Sequence, residues 1–416
     1  MSPYLIHSGP EIPETEIRLP WSKSIVNRLL LIHYLAGLPL TELEPYCDCS
    51  DSRELYKALL QQNQHINIGE GAAPFRFCLA LMTALNKHLI LDARGSMLHR
   101  DISPLVDALN AAGASIKYLG ETGKPPVIIE HGLNGFKDLT VDTENSSQFA
   151  SALMLVAPLF SGEKVIEITG NSVSTPYLKM SAALMFHYGV QVQIDFKKAQ
   201  IHISEGTYNK QHVLPVEADW SAAAFFYTLV SIHPETSIRI KGLHRNSLQG
   251  DSILPELFTP LGVETRWNEE GLELLSCKPS IPLPPEMDFR EFPDLLPAFL
   301  VACAVGKRRV RINGIAHLAM KESNRTETLF LNFRKLGVDF FHDKNCWVFN
   351  ADKFHIPDGL TIETAKDHRM AMAFAMLAVL KPLRLDDADC VNKSFPCFWD
   401  ELKKCNLKQE NQRYGI

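Results

Sequence analysis

The sequence predicts an α/β protein of two similar domains, each assembled from three repeated units in which strands surround two helices. Three observations predict it. A polar or charged cluster opens an apolar helix at six places, anchored on Ser24, Pro74, Ser147, Asp219, Asp294 and His368, with spacings of 50, 73, 72, 75 and 74 residues. Between them an amphipathic helix, a glycine and an alternating apolar run recur at Gly113, Gly189, Gly262 and Gly337. The chain, at 416 residues and 46% hydrophobic, is long enough for two or three ordinary domains with substantial cores.

The first element is "SKSIVNRLLLIHYLAGL", and it opens the one short unit. "APFRFCLALMTALN", "SSQFASALMLVAPL", "DWSAAAFFYTLVSI", "PDLLPAFLVACAVG" and "HRMAMAFAMLAVLK" repeat its plan at nearly one period. Apolar on almost every face, such helices belong inside a core. The second marker reads "LVDALNAAGASIKYL", "LMFHYGVQVQI", "LFTPLGVETRW" and "LNFRKLGVDFF". Each glycine stands where a half-exposed helix would end in a left-handed cap before a strand. No Gly-rich dinucleotide loop interrupts the pattern.

Composition removes several function classes. A net charge of −6 argues against a general nucleic-acid binder, although a local basic site remains compatible with it. The N-terminus shows neither the basic nor the apolar segment of a secretion signal. The longest apolar runs, such as "MAMAFAMLAVL" (370–380), are about half the ~20 residues of a membrane span. Nine cysteines without a CxxC, and Cys47 and Cys49 too close for a usual zinc pair, point to reduced thiols in a cytoplasm.

Helix N-termini carry unsatisfied N–H groups and a partial positive charge, so they collect anions. Ser, Asp and Asn favour these positions as ordinary caps, whatever the ligand. Capping does not explain Lys23, Arg28, Arg76, His368 and Arg369, cations placed where the macrodipole disfavours them. A bound anion does.

Read in order, the clusters resemble the enolpyruvylshikimate-phosphate synthases, the 3-phosphoshikimate 1-carboxyvinyltransferases, over nearly the whole chain. The carrying motifs are "LPWSKSIVNR" (19–28), "SSQFASALM" (146–154), "SVSTPYLKM" (172–180) and "RNSLQGD" (245–251). They continue with "FPDLLPAF" (292–299), "KESNR" (321–325), "DHRMAMAF" (367–374) and "NKSFPCFW" (392–399). Each is weak alone; eight in order on the repeats are specific. The resemblance implies two domains, each of three βαβαββ units, in an inside-out α/β barrel architecture. Residues 21–216 would form the N-terminal domain, mainly binding shikimate 3-phosphate. Residues 1–20 with 217–416 would form the C-terminal domain, mainly for phosphoenolpyruvate and catalysis.

The implied reaction moves the enolpyruvyl group of phosphoenolpyruvate to the 5-hydroxyl of shikimate 3-phosphate and releases phosphate, in aromatic amino acid biosynthesis. The two substrates together bring roughly six negative charges. Ser24 and Arg28 would hold the shikimate carboxylate, a task suited to a bidentate guanidinium. Ser146, Ser147, Ser174 and Lys321 would take its phosphate, Tyr177 would lie against its ring, and Gln148 would sit between the substrates. Arg325 and Arg369 would clamp the phosphoenolpyruvate carboxylate, and Lys23, Arg100 and Lys393 its phosphate, with Ala72 close by. Glu322 is the candidate acid for the methylene carbon and Asp294 the candidate base for the hydroxyl. Lys23 would also stabilise the tetrahedral intermediate. The expectation is a cytoplasmic monomer with small-molecule substrates, needing no metal or organic cofactor and no nucleic-acid or membrane partner.

The chain also departs from the family pattern. Trp21 stands where a Gly is expected, Glu70 where Asn is usual, and Ala72 where a Gly approaches phosphoenolpyruvate. An extra methyl at that last position crowds glyphosate more than substrate, so weak glyphosate sensitivity is expected. His317 stands where Asn is frequent and Ala319 where Arg is frequent. Two other readings therefore stand beside the synthase. A transferase acting on a nucleotide sugar would carry a reactive Cys within 94–101, and "RGSMLHRD" has none. A paralogue that only binds shikimate 3-phosphate is motivated by Glu70, Ala72 and Ala319, yet every proposed acid, base and cation is present.

Overall fold

Six apolar helices form where the six polar openings place them, and each is followed by a second helix. The computed structural model describes residues 4–9, 11–135, 138–170, 173–209, 216–343 and 346–411. In chain order the helices are α1 (Lys23–Ala36) and α2 (Ser50–Leu60), α3 (Ala72–Ala84) and α4 (Ser103–Ala111), α5 (Gln148–Val156) and α6 (Pro176–His187), then α7 (Trp220–Ile232) and α8 (Leu254–Phe258), α9 (Leu296–Val305) and α10 (Arg325–Lys335), α11 (His368–Ala375) and α12 (Phe398–Lys404). The odd-numbered helices are the buried ones: twelve of thirteen residues in α7 and nine of ten in α9 lie inside. The even-numbered ones bury a stripe, as α10 does with Arg325, Thr328, Leu329, Asn332 and Phe333. Burying each large apolar side chain contributes about 1.5–3 kcal/mol.

The chain divides into two compact units, residues 21–216 and residues 1–20 with 217–416. In the second unit each of three four-stranded sheets has the same plan: a parallel pair joined by a buried helix, then two antiparallel strands. The first orders Thr15–Ile17, Ser237–Lys241, Gly271–Ser276 and Val263–Trp267. The next orders Glu286–Asp288, Arg309–Asn313, Cys346–Asn350 and Asp339–Asp343. The last orders Thr361–Ile362, Leu383–Leu385, Tyr4–Ser8 and Leu407–Asn411. The N-terminal segment thus supplies β1 (Tyr4–Ser8) to the last sheet and β2 (Thr15–Ile17) to the first. Residues 21–216 are inserted between β2 and α7, and Asp219 N–H donates to the Pro20 carbonyl at 2.9 Å across the two connections. One apolar core runs through this unit, from Ile6 and Ile17 to Trp220, Phe258, Phe299, Phe333, Phe374 and Phe398.

The unit 21–216 has two sheets of the same plan, Asn67's His65–Asn67 strand with Leu89–Asp92, Val127–His131 and Ser115–Tyr118, and Asp138–Asp142 with Lys164–Thr169, Gln200–Ile203 and Val192–Asp195. The short first unit keeps its helix pair, but between α1 and α2 the chain makes two tight turns, Leu40–Glu42 and Glu44–Tyr46. Among the described residues it has no four-stranded sheet. This is the unit already short in the sequence, with too few residues between its helices for the strand that the other units carry there. The four marker glycines do adopt left-handed φ, from 71° at Gly337 to 99° at Gly113, each just before a strand.

Among the described residues no helix is long and apolar enough to cross a membrane. The nine cysteines are all unbridged.

Candidate active site

The expected site residues fall at the starts of the helices, in one constellation per unit. In residues 21–216, α1 opens with Lys23, whose Nζ donates to Asp51 Oδ2 at 3.1 Å in the first turn of α2. The other carboxylate oxygen of Asp51 is buried without a partner and lies against Gly71, where an added Cβ would come within 2.8 Å of it. Gly71 precedes Ala72, the first residue of α3. Lys23, Asp51 and the mouth of α3 are thereby joined.

One turn into α1, Arg28 is 2% exposed and is held by neutral groups. Its Nε donates to Ser181 Oγ at 2.7 Å, Nη1 to the Ser24 carbonyl at 2.8 Å, and Nη2 to Ser151 Oγ and the Tyr177 carbonyl, both at 3.2 Å. Its guanidinium also faces the rings of Phe77 and Tyr177. Four of five N–H donors are engaged, so a bidentate grip on a carboxylate requires one of these bonds to be exchanged. Burial lowers its pKa to about 10, partly countered by Tyr177, and leaves it charged at neutral pH.

A third link runs from α3 to α5. Arg76 donates through Nη1 to Gln148 Oε1 at 2.7 Å and Ser146 Oγ at 3.1 Å, and through Nη2 to the Asp101 carbonyl at 3.1 Å. Ser147 is 2% exposed at the cap of α5. Ser174 has a left-handed φ of 57°, and its buried hydroxyl has no partner among the described residues, beside the start of α6. Arg100 stands half-buried after the turn Gly95–His99. In the "SVSTPYLKM" stretch, Ser172 lies outside the described residues.

The second constellation is built on charge. Arg325, the first residue of α10 and 1% exposed, is surrounded by three carboxylates. Its Nη1 donates to Asp294 Oδ1 at 2.7 Å, Nη2 to Glu322 Oε2 at 2.6 Å, and Nε to Asp367 Oδ2 at 2.7 Å. Arg369 Nη2 donates to the other oxygen of Asp294 at 2.9 Å, and Lys393 Nζ lies 3.8 Å from Glu322. Asp367 also caps α11, accepting from the Arg369 N–H at 3.0 Å. Burial opposes ionisation of Asp294, but Arg369, Lys321 and Arg325 outweigh it and hold its pKa below the usual carboxylate range. Burial likewise opposes the charge on Arg325, and Asp367, Glu322 and Asp294 more than restore it.

From sequence alone Asp51 and Asp367 have no role, and Arg76 is only one of the cations that a bound anion would explain. Each left a signal: an acid in the first turn of α2, a cation inside an apolar helix, and an Asp directly before the His-Arg of α11. Of the cations that a bound anion would explain, Lys23 meets Asp51 and Arg369 meets Asp294, so built-in carboxylates answer part of that need.

The departures also find physical places. Trp21 does not take a positive φ; its N–H donates to Asp48 Oδ2 at 3.2 Å and its ring meets Tyr46 edge-on at 5.0 Å. The Glu70 carboxylate packs against Gly95, which has no Cβ to obstruct it. Ala319 is exposed. His317 is 5% exposed, and its Nε2 is buried without a partner; burial and then Lys321 push the imidazole down to about 3, so it is neutral.

Comparison with known proteins gives the family of the chain. The family model for EPSP synthase (3-phosphoshikimate 1-carboxyvinyltransferase) matches residues 49–402. The 3-phosphoshikimate 1-carboxyvinyltransferase of Bacteroides fragilis is 35% identical over 412 residues, 97% of this chain and 98% of that protein. That of Methanospirillum hungatei is 31% identical, covering 92% and 94%. Among solved structures, an EPSP synthase from Acinetobacter baumannii superposes with a TM-score of 0.75 at 20% identity over 99% of both chains. The enolpyruvyl transferase NikO from Streptomyces tendae gives 0.68 at 14% identity over 99% of both. These two likenesses concern the fold.

Proposed function

The chain belongs to the EPSP synthase family, and from that premise we propose how its own residues divide the reaction. The activity is transfer of the enolpyruvyl group of phosphoenolpyruvate to the 5-hydroxyl of shikimate 3-phosphate with release of phosphate, the shikimate-pathway step towards chorismate and the aromatic amino acids. Residues 21–216 are the shikimate 3-phosphate domain, with Ser24 and Arg28 for the carboxylate, Tyr177 against the ring, and Ser146, Ser147 and Ser174, together with Lys321, for the phosphate. Arg325 and Arg369 take the phosphoenolpyruvate carboxylate, Lys23, Arg100 and Lys393 its phosphate, and Gln148, held by Arg76, touches both substrates. The protein works as a cytoplasmic monomer.

One observation carries the catalytic assignment: Asp294 bridges Arg325 and Arg369, the two arginines assigned to the substrate carboxylate. Paired this way it is a poor base, because the cations favour its ionised form. A carboxylate arriving on the same guanidiniums takes over those donors, and the proton affinity of Asp294 rises when the hydroxyl is in place. Asp294 then takes the hydroxyl proton while the oxygen bonds to the substrate carbon, and Glu322 protonates the methylene. In the second half Glu322 takes back a proton from the methyl group, the carbon–phosphate oxygen bond breaks, and the hydroxyl proton leaves with the phosphate. Lys23 stabilises the charge between the two steps.

The test is phosphate release from the purified protein with both substrates and with each omitted in turn. Release that requires both supports the assignment; shikimate 3-phosphate binding without release would favour the binding-only paralogue. No observation of the geometry favours that second reading.

A further inference from the structure

The motif "RNSLQGD" ends in a buried acid that the reaction described above does not use. Most of the motif clasps the start of α7. Gln249 Oε1 accepts from the Trp220 N–H at 3.0 Å, its Nε2 donates to the Ala218 carbonyl at 2.8 Å, and Ser247 Oγ donates to Glu217 Oε1 at 2.6 Å. That clasp takes no carboxyl from the motif itself. Asp251 is nevertheless present, 4% exposed on the turn Gly250–Ile253, and it accepts a hydrogen bond from Ser221 Oγ.

Its surroundings set three elements against it. From the start of α7 come the Ser221 hydroxyl and the Asp219 carboxylate, from the turn before α9 comes Asp294, and from α11 comes Arg369. A charged Asp251 would be out of water near the Asp294 and Asp219 carboxylates, with the Ser221 hydroxyl and the Arg369 guanidinium in its favour. That guanidinium already serves Asp294 at 2.9 Å.

We propose that Asp251 is a positioning residue for phosphoenolpyruvate, leaving Arg369 to the substrate carboxylate when neutral and competing for it when charged. The idea rests on the assignment of Arg369 to that carboxylate. Burial, and next Asp294, raise the Asp251 pKa to about 7, with Ser221 and Arg369 pulling the other way. The sign follows. Below that pH Asp251 is neutral and adds no charge near Arg369; above it a second negative charge faces the same guanidinium, and phosphoenolpyruvate binds more weakly.

The experiment is titration of phosphoenolpyruvate, with shikimate 3-phosphate present, from pH 6 to 8.5 in wild type, Asp251→Asn, Ser221→Ala and Arg369→Met. The ratio of wild-type to Asp251→Asn Kd cancels the ligand's own ionisation. It is expected within about twofold of its limiting value at pH 6 and about tenfold higher at pH 8.5, the size of a one-unit coupling. Ser221→Ala removes the bond that favours the charged form, so the rise moves to higher pH. A ratio that is flat across the range overturns the proposal. So does an unmoved transition in Ser221→Ala, which decides the matter if Asp251→Asn does not fold. An Arg369→Met affinity equal to wild type would instead remove the carboxylate assignment, and the proposal with it, whereas a large Arg369→Met loss beside a flat ratio rejects Asp251 alone.

Discussion

The two units hold their buried arginines in different ways. In residues 21–216, Arg28 and Arg76 rest on serine hydroxyls, an amide oxygen, backbone carbonyls and aromatic faces. In that unit α1, α3 and α5 begin without a side-chain cap. In residues 217–416, Arg325 and Arg369 are met by Asp294, Glu322 and Asp367, and α7, α10 and α11 are capped by Asp219, Asn324 and Asp367. The first holds Arg28 on neutral partners, so an anion arriving there exchanges a neutral hydrogen bond. The second is closer to balance, so an anion must take the place of a carboxylate already there. Exchange against a neutral group suits the substrate that stays largely intact; exchange against a carboxylate suits one whose arrival should change the state of a base.

Removing the exchanged charge has the largest expected effect. Asp294→Asn should lower kcat by about 10²–10⁴, the usual scale for a general base. It should also tighten phosphoenolpyruvate binding, because the internal competitor on Arg325 and Arg369 loses its charge. Stopped-flow or equilibrium titration separates the two. A loss of affinity together with kcat would break the exchange picture and leave Asp294 as a plain substrate contact.

Stability should divide along the same line. Arg325→Met strands three carboxylates, and removing one partner of a buried ion pair costs about 3–5 kcal/mol. Arg28→Met strands hydroxyls and carbonyls, at about 1–3 kcal/mol for groups left without a partner. Urea unfolding of both variants tests the order, and equal losses would erase the distinction between the units.

Acid sharpens it further. Asp294 has a folded-state pKa below its unfolded value, so its contribution is present above the unfolded pKa and is lost as pH falls towards the folded one. Segment-resolved hydrogen exchange, corrected for intrinsic rates, should show α9 to α11 losing about 1–3 kcal/mol of protection between pH 5 and pH 3. Protection in α1 to α5 should change less. A uniform loss would mean that the carboxylates of 217–416 are not what differs.

This contrast was only half legible in the sequence. The repeat was readable because an apolar helix needs an unbroken run of residues, and six such runs, all but the first interval at nearly one period, leave little else to build. The glycines before the strands were readable for the same local reason, since a left-handed cap favours one residue type. Partners were not. Nothing in "KESNR" or "PDLLPAF" says that Asp294 and Arg325, 31 positions apart, share a bond, or that Asp367 completes the set. The resemblance named the cations proposed for the site together with Asp294 and Glu322, while their pairing, and the place of Asp367 among them, emerge only when three helix starts are brought together. Trp21 shows the limit from the other side. The sequence left open a strained backbone, and the structure removes it with an unremarkable φ and a contact with Tyr46.

The smallest expected effect lies at the uncapped mouth of α3. Ala72 is 8% exposed there, following Gly71, whose open side is filled by Asp51 and Pro74. With the neighbouring space occupied, a ligand larger than substrate has little room to shift away from the Ala72 methyl. Ala72→Gly should therefore strengthen glyphosate inhibition by about tenfold, the low end of what one buried methyl decides, while the KM for phosphoenolpyruvate moves less than about threefold. The change also removes a better helix former from the first turn, at up to about 1 kcal/mol, which a parallel unfolding curve measures. Equal shifts in inhibitor and substrate would show that the methyl acts on the helix and not on the ligand, and would assign the departure at this position to stability.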